Sequence, residues 1–191
     1  LKKNPKLCQM VFANAYKNVA PSGYLKQLFE SAGFTNVVHI PNSIEIDKYE
    51  FKSRDELTPK LFWVRAFASI YNPEMAVKVL QQLQEKYPSA TLTMVGPDKD
   101  GSLQTTKAFA DYINCKVSFT GQLSKEDWWK LASEHDIFIN TTHFDNTPIS
   151  VMEAMALGLP VVSTNVGGIP HLLTDKENAL LVSDNDVSKM T

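Results

Sequence analysis

The chain has 191 residues, 43% of them hydrophobic and 21% charged, with a formal net charge of −2. This composition is typical of an ordinary globular domain, and the lack of a basic stripe argues against a nucleic-acid-binding protein. The length allows one sizeable α/β core, whereas two full nucleotide-binding domains would need roughly 300 residues or more.

Cysteine use and hydropathy indicate where the protein works. Cys8 and Cys115 form no close-spaced pair, which indicates a reducing compartment. We see neither a signal peptide nor an apolar run of membrane-spanning length, so we expect a cytoplasmic protein without a transmembrane segment, with peripheral binding at the inner face of a membrane as the alternative. Because the first residue is Leu1 and not Met, we expect a fragment of a longer protein.

The N-terminal part of the chain contains three predicted elements. Leu7–Ala13 (LCQMVFA) predicts a short strand, Pro21–Ala32 a helix, and Asn36–Pro41 (NVVHIP) a second strand. The charged stretch 43–60 follows, and we interpret it as a linker.

From Leu61 onward, predicted strands and helices alternate. The strands are Leu61–Val64, Ala90–Val95, Lys116–Thr120, Asp136–Thr141, Val161–Thr164 and Ala179–Val182, and the helices between them include Pro73–Tyr87, Ser102–Ile113, Lys125–Ser133 and Pro148–Leu157. This order implies an α/β fold with a Rossmann-like parallel sheet and helices on both faces. Ligands of such sheets bind beyond the carboxyl ends of the strands, so we expect the site there.

The run His143–Pro160 (HFDNTPISVMEAMALGLP) is the least ordinary stretch of the sequence. Thr147 is a predicted N-cap, with Pro148 at the first helical position. The helix is apolar on nearly every side, so we expect both of its faces to be covered. Because a lone buried carboxylate costs several kcal/mol, Glu153 is either paired internally or faces a crevice where a ligand meets it. We favour the crevice.

Asp145 lies just before this helix, and seven residues separate it from Glu153. The amides near Thr147, Ile149 and Ser150 belong to the unsatisfied first turn, where the helix dipole favours an anion such as a diphosphate. A nucleoside diphosphate therefore fits between the two carboxylates.

The Asp145-x7-Glu153 pattern closely resembles the acidic-x7-Glu signature of retaining GT-B glycosyltransferases of family 4. The resemblance runs from about Val37 to Asp186 and includes TNVGGIP at Thr164–Pro170. It implies one half of a GT-B fold, in which 61–191 form the C-terminal donor-binding domain. Residues 1–42 are then the end of the acceptor-side domain or an N-terminal appendage, and the N-terminal domain of the same enzyme is missing.

The resemblance also implies roles for individual residues. Asp145 positions the transferred sugar, Glu153 binds ribose hydroxyls, Arg65 and the amides at Thr147, Ile149 and Ser150 bind the diphosphate, and Gln122 lies beside the base. The expected activity is hexosyl transfer with retention of configuration, in polysaccharide biosynthesis, and the fragment alone is expected to be inactive. A UDP- or GDP-sugar is the expected donor and a glycan or lipid-linked molecule the acceptor, with no metal and no cofactor.

Several residues depart from the family pattern. Asp145 stands where Glu is usual, Val64 replaces a glycine, and the lysine expected shortly after Arg65 is missing from Ile70-Tyr71-Asn72-Pro73. The missing lysine favours an alternative, a non-catalytic sugar-nucleotide-binding or scaffolding module.

A sugar-nucleotide epimerase or phosphorylase of the same fold is a weaker alternative. No lysine lies between Lys130 and Lys176 to carry the pyridoxal phosphate of such phosphorylases.

Three other signals predict structure or close packing. Asp98-Lys99-Asp100-Gly101 resembles metal-binding motifs but follows a strand as a turn, and no glutamate stands at the twelfth position of a calcium loop. One ring of Trp128-Trp129 is expected to pack into the core. Gly167-Gly168 is expected to let the backbone approach a ligand closely.

Overall fold

A computed structural model describes residues 4–191 of the chain. Its helices are α1 (Pro5–Asn14), α2 (Gly23–Ser31), α3 (Pro73–Lys86), α4 (Ser102–Tyr112), α5 (Lys125–Ala132), α6 (Ile149–Ala156) and α7 (Val187–Met190). Its strands are β1 (Asn18–Ala20), β2 (Val37–His39), β3 (Lys60–Val64), β4 (Thr91–Val95), β5 (Ser118–Gly121), β6 (Ile137–Asn140), β7 (Val161–Thr164) and β8 (Leu180–Val182). Within this part of the chain, no helix is long and apolar enough to cross a membrane.

The main sheet has six strands in the order β5-β4-β3-β6-β7-β8, and neighbouring strands pair in parallel. The chain builds from β3 outward to β5 and then returns to the other side of β3 to build β6, β7 and β8. The strand order therefore reverses between β3 and β6, and the carboxyl ends of these two strands form a crevice. The predicted Rossmann-like parallel sheet is confirmed.

Both faces of the sheet are covered by apolar side chains, because successive residues of a strand point to opposite faces. In β3, Leu61 and Trp63 belong to one buried cluster, which includes much of α3. Phe62 and Val64 belong to the other, which includes Trp128 of α5 and Val151 of α6. The prediction that α6 is covered on both faces is confirmed only in part, because Val151 and Ala154 are buried whereas Met152 and Met155 are half-buried.

A smaller unit precedes the main sheet. Its strands β1 and β2 form a separate parallel pair, and α2 packs against them around buried Ala20, Phe34 and Val37. The predicted strand at Leu7–Ala13 is wrong, because the segment forms α1. Its apolar residues Leu7, Met10 and Val11 are spaced i, i+3, i+4, which is the period of a helix.

The segment 43–59 joins the two units and contains a 3₁₀ turn at Ile46–Lys48. Arg54 fastens it to the main unit, since its guanidinium donates hydrogen bonds to the carbonyls of Ala132, His135 and Leu157. The Arg54 side chain is only 2% exposed. The connection is therefore anchored to the core, although whether it is a domain linker stays a prediction.

The start of α6 differs from the prediction. Pro148 has an extended backbone (φ −71°, ψ 110°) and is the N-cap, so the first helical residue is Ile149. The Pro148 carbonyl accepts hydrogen bonds from Val151 and Met152, at 3.2 and 3.4 Å. Thr147 does not cap the helix, because its hydroxyl instead lies 3.3 Å from the carbonyl of Pro21 and donates to it.

Candidate functional site

A cleft of about 350 Å³ opens beyond the carboxyl ends of the central strands. It is lined by the ends of β3 and β4 and the segments that follow β3, β4 and β5, together with α5 and α6: Val64, Arg65, Ala66, Tyr71, Val95, Gly96, Pro97, Gln122, Leu123, Trp128 and Ser150. This is the edge of the sheet at which the strand order predicts a ligand site.

Arg65 is the cation of this cleft. It forms an ion pair with Asp145, and both side chains are largely buried, with 16% and 10% of their surfaces exposed. The guanidinium carbon lies 4.2 Å from the centre of the Tyr71 ring, within the range of a cation–π interaction. Arg65 Nε is buried and has no hydrogen-bond partner among residues 4–191. The ion pair with Asp145 thus leaves the Nε–H of the guanidinium without a hydrogen-bond acceptor in this part of the chain.

The first turn of α6 reaches the same cleft. Ser150 lines it, is 9% exposed, and has a buried hydroxyl that finds no partner in the described part of the chain. The amides of Ile149 and Ser150 occupy the first helical positions, where no intrahelical acceptor exists. Hydrogen-bond donors of Arg65 and Ser150 therefore converge on one cleft, at the end of a helix dipole that favours negative charge.

The loop that carries Asp145 is fixed by close packing against Gly167-Gly168. The Gly168 amide donates to the Asp145 carbonyl at 2.8 Å, and a Cβ at Gly168 would lie 1.9 Å from the Asn146 carbonyl oxygen. On its other side the loop meets the small unit, where Ser22 donates a hydrogen bond to Asn146. The glycine pair is expected to let the backbone approach a ligand. In the structure, the backbone that it approaches is that of the Asp145 loop.

Glu153 lies on α6 and is 3% exposed. Its Oε1 accepts hydrogen bonds from the Tyr49 hydroxyl at 2.9 Å and from Lys125 Nζ at 2.8 Å. Burial, and then the bond to Glu153, raise the pKa of Tyr49 to about 12. Glu153 is thus paired internally, which is the arrangement that we did not favour. Both bonds go to Oε1, so Oε2 keeps acceptor capacity and the ribose role stays a prediction.

A second, smaller cleft of about 190 Å³ lies between the two units. It is lined by the start of α2, the end of β2 and residues around α6: Pro21, Ser22, Gly23, His39, Pro41, Asn42, Thr147, Met152, Gly168, His171 and Leu172. The Asp145 loop therefore separates two openings, one towards the strand ends of the main sheet and one towards the small unit.

The family model described as "Glycosyl transferases group 1" matches residues 45–191. The chain belongs to this family.

Curated relatives resemble the chain over about four fifths of its length. The amylovoran biosynthesis glycosyltransferase AmsK of Erwinia amylovora is 28% identical over 156 residues, which is 77% of this chain and 38% of AmsK. A glycogen synthase of Mycobacterium tuberculosis is 22% identical over 158 residues, or 82% of this chain and 38% of the synthase. The chain thus spans less than half the length of these relatives.

Solved structures show the same fold. Anabaena HepE, crystallised in complex with UDP and glucose, matches with a TM-score of 0.86 at 18% identity, covering 99% of this chain and 55% of HepE. Sucrose-phosphate synthase from Thermosynechococcus elongatus matches with a TM-score of 0.83 at 20% identity, covering 98% of this chain and 50% of that one. The six-stranded parallel sheet therefore matches half-domains of GT-B glycosyltransferases.

Within this group 1 glycosyltransferase chain, the predicted site residues fall into three places. Arg65, Gln122 and Ser150 line the larger cleft, and Ile149 precedes Ser150 at the start of α6. Asp145 joins them through its ion pair with Arg65. Thr147 lines the smaller cleft instead, and Glu153 lies farther along α6 with its own partners.

Three residues at the site were not predicted: Tyr71, Tyr49 and Lys125. Tyr71 contacts the Arg65 guanidinium with its ring, and nothing in the tetrapeptide Ile70-Tyr71-Asn72-Pro73 besides its missing lysine points to this contact. Lys125 was expected only as the start of a helix, and Tyr49 lies in the stretch read as a linker. Only the two contacts to Glu153 had a chemical reason that the sequence could show, since a buried carboxylate needs hydrogen-bond donors.

The acidic turn Asp98–Gly101 serves the structure. Asp98 accepts hydrogen bonds from the amides of Gly101 and Leu103, while Asp100 accepts from Ser69 and Ser102. The bond from the Ser102 hydroxyl is the main cause that lowers the pKa of Asp100 to about 2. These carboxylates accept hydrogen bonds from the backbone amides at the start of α4, and Asp100 links this helix to the turn at Ser69.

Proposed function

We propose that this chain is the donor-binding half of a retaining GT-B glycosyltransferase, which transfers a hexose from a nucleotide-sugar to an acceptor. The observation that carries the proposal is the meeting of Arg65, Ser150 and the first turn of α6 in one cleft at the strand ends. The complex of HepE with UDP and glucose, on the same fold, supports a nucleoside diphosphate as the occupant.

The diphosphate binds between Arg65 and the α6 N-terminus. A hydrogen bond from a charged donor contributes about 1.5–3 kcal/mol, whereas the helix dipole alone contributes roughly 0.3–1 kcal/mol. Arg65 therefore contributes more than the helix dipole does, and the amides of Ile149 and Ser150 add directed hydrogen bonds. Both stabilise the charge that grows on the leaving diphosphate as the bond to the sugar breaks.

Asp145 contacts hydroxyls of the transferred sugar. Its carboxylate lies beside Arg65, so it meets the sugar where the sugar joins the diphosphate. Its role is positioning and electrostatic stabilisation, and the proposal assigns it no covalent attack. The Gly167-Gly168 turn holds the Asp145 loop in place and leaves the smaller cleft, beside Thr147, as the side from which the acceptor arrives.

Glu153 binds the ribose and the segment after β5 faces the base. Tyr49 and Lys125 occupy Oε1 of Glu153, and Oε2 accepts hydrogen bonds from ribose hydroxyls. Pro97 and Leu123 give the cleft apolar surface for the base, and Gln122 lines the cleft beside Leu123. The proposal requires no metal ion and no cofactor besides the UDP- or GDP-sugar donor.

The missing half of the enzyme completes the site. The chain spans less than half of its curated relatives, so the facing wall and the contacts to a glycan or lipid-linked acceptor belong to an N-terminal domain outside this sequence. In this proposal, residues 1–42 are the end of that domain or an N-terminal appendage, 43–60 are the linker and 61–191 are the donor domain. By analogy with AmsK, a role in polysaccharide biosynthesis is part of the proposal.

One observation favours a second function, a non-catalytic sugar-nucleotide-binding module. Arg65 is the one cation among the residues that line the larger cleft, and it is already paired with Asp145. A site with so little free positive charge stabilises a leaving diphosphate less than a site with two cations would.

The test is to titrate the 191-residue chain with UDP and GDP by calorimetry or NMR, and then to supply UDP-hexoses with a range of glycan acceptors. We expect weak binding of at least one nucleotide and no transfer, because the facing wall is absent. Absence of binding would refute the donor site. Sugar transfer by the isolated chain would refute the requirement for a second domain, and binding without transfer in the full-length protein would favour the non-catalytic module.

A further inference from the structure

The turn that carries Tyr71 is held at the cleft by buried hydrogen bonds. The hydroxyl of Thr141, which is fully buried, lies 3.0 Å from the Tyr71 carbonyl and 2.9 Å from the Asn72 carbonyl and donates to them. The indole N–H of Trp63 in turn donates to this hydroxyl at 3.0 Å. The backbone of Tyr71 is thus fixed to the end of β6 through the core.

The same turn is fixed on both sides of Tyr71. The Ile70 carbonyl accepts hydrogen bonds from the Thr142 hydroxyl and from the His143 amide, at 3.1 and 2.8 Å. Asn72 has a left-handed backbone (φ 48°, ψ 56°), which reverses the chain just before α3. These contacts fix the backbone of the turn. The turn therefore places the Tyr71 side chain at the cleft before a ligand binds, and binding does not have to order the loop.

The hydroxyl of Tyr71 forms no hydrogen bond within the described part of the chain. The Tyr71 amide donates to the Ala68 carbonyl, its carbonyl accepts from Thr141, and its ring lies under the Arg65 guanidinium. The hydroxyl is also not among the buried unpartnered oxygens of residues 4–191, so it is open to a ligand in the cleft. Arg65 Nε and Ser150 Oγ also lack partners in this part of the chain. Three unpartnered groups that can donate hydrogen bonds therefore line one cleft, and such a set suits a ligand rich in acceptor oxygens.

We propose that Tyr71 is a binding residue for the diphosphate of the nucleotide-sugar. Its ring holds the Arg65 guanidinium in place, and its hydroxyl donates a hydrogen bond to a diphosphate oxygen. This inference rests on the proposed function, since it takes a nucleoside diphosphate as the occupant of the cleft.

Tyr71 compensates for the weak net charge of the site. Arg65 and Asp145 largely cancel each other's charge, so a diphosphate finds little free positive charge. A neutral hydroxyl adds a directed hydrogen bond without a second buried cation, whose desolvation would be costly. On ligand binding, the Arg65 guanidinium gives up part of its contact with Asp145 and binds phosphate instead. The Tyr71 ring keeps the guanidinium in the cleft during this exchange.

The test compares UDP with uridine by NMR titration of the wild-type chain, Tyr71→Phe and Tyr71→Leu. Loss of a neutral hydrogen bond predicts that Tyr71→Phe binds UDP about 3–10-fold more weakly. Tyr71→Leu also loses the ring beneath Arg65, which predicts a loss of about 10–100-fold. Uridine has no phosphate, so its affinity should change by less than about twofold in either variant.

Tyr112→Phe is the matched control, because Tyr112 is 87% exposed on α4 and should leave both affinities unchanged. The inference is overturned if Tyr71→Phe binds UDP as tightly as the wild type does. It is also overturned if UDP and uridine weaken equally, since Tyr71 would then only support the shape of the cleft. If the wild type binds neither UDP nor GDP, the proposed function fails and the inference fails with it.

Discussion

The two units of the chain differ in how much of their apolar surface they bury. The main unit covers both faces of a six-stranded sheet, and Phe62, Trp63 and Phe138 are at most 1% exposed. The small unit has a two-stranded sheet, and on α1 the side chains of Leu7 and Met10 are 50% and 60% exposed. The main unit therefore buries far more apolar surface than the small unit, whose own buried cluster consists of Ala20, Phe34 and Val37.

The small unit contacts the main one mainly around the Asp145 loop. Ser22 bonds to Asn146, Thr147 bonds to the Pro21 carbonyl, and the rings of Tyr24 and Phe144 meet edge to face at 5.9 Å. In the function proposed above, the exposed stripe of α1 packs against the rest of the acceptor-side domain. The comparison thus separates a main unit with an extensive core from a small unit that contacts the Asp145 loop.

The largest predicted effect distinguishes the cores of the two units. Trp63→Ala should lower the free energy of unfolding by about 3–5 kcal/mol, because it leaves a cavity in the sheet and removes a donor to Thr141. Met10→Ala on α1 should change it by no more than about 0.5 kcal/mol. Urea denaturation followed by fluorescence and circular dichroism measures both, and similar losses in the two variants would contradict the comparison.

The next effect concerns the cation of the larger cleft. Arg65→Ala should weaken UDP binding by about 10–100-fold, since a charged hydrogen bond contributes about 1.5–3 kcal/mol. Lys107→Ala, which removes the same charge from α4 away from the cleft, is the control for net charge and should bind as the wild type does. Calorimetric titration with UDP measures both, and equal affinities in the two variants would remove Arg65 from the diphosphate site.

A smaller effect is expected at the buried carboxylate. Glu153→Gln should weaken nucleotide binding by about 1–2 kcal/mol through loss of charged hydrogen bonds to the ribose. Glu126→Gln is the matched control, because Glu126 is exposed at the start of α5. If calorimetry shows unchanged affinity while the melting temperature falls, Glu153 is a structural carboxylate that serves Tyr49 and Lys125.

The last effect is a pH dependence of stability that Tyr49 causes. The pKa of Tyr49 is raised from 10.0 to about 12 in the folded chain, so the unfolded chain ionises first as the pH rises. Tyr49 therefore contributes stability that is fully present below pH 10 and is lost between pH 10 and about 12. Tyr49→Phe should lack this part of the alkaline loss, and identical slopes for the two proteins in urea denaturation would contradict the account.

Much of the fold could be predicted because it depends on local patterns. Alternation of strand and helix from Leu61 onward determines the parallel sheet, and the strand ends then place Arg65 and Gln122 at one edge. The prediction is wrong at α1, because a short apolar run there suggests a strand although its apolar residues have helical spacing. It is also wrong at Thr147, where a good capping residue is used elsewhere because Pro148 takes the cap position.

The parts of the site that could not be predicted depend on distant partners. Tyr49 meets Glu153 across 104 positions of sequence, and the segment of Tyr49 has no periodic pattern that would place it beside α6. The turn on which Tyr71 meets Arg65 is held in part by Thr141, which follows β6 much later in the chain. Periodicity shows which face of an element is buried but not which side chain lies opposite.

The most direct test of the donor site is a crystal structure of the chain with UDP. We expect the diphosphate in the cleft beyond β3, with its oxygens within hydrogen-bonding distance of the Arg65 guanidinium and the Ser150 amide. A third opening, of about 560 Å³, is lined by residues of 48–52 and of α5 and exceeds both clefts in volume. It is the competing location for UDP. UDP bound in that opening, or bound with its diphosphate away from Arg65 and the start of α6, would contradict the central claim.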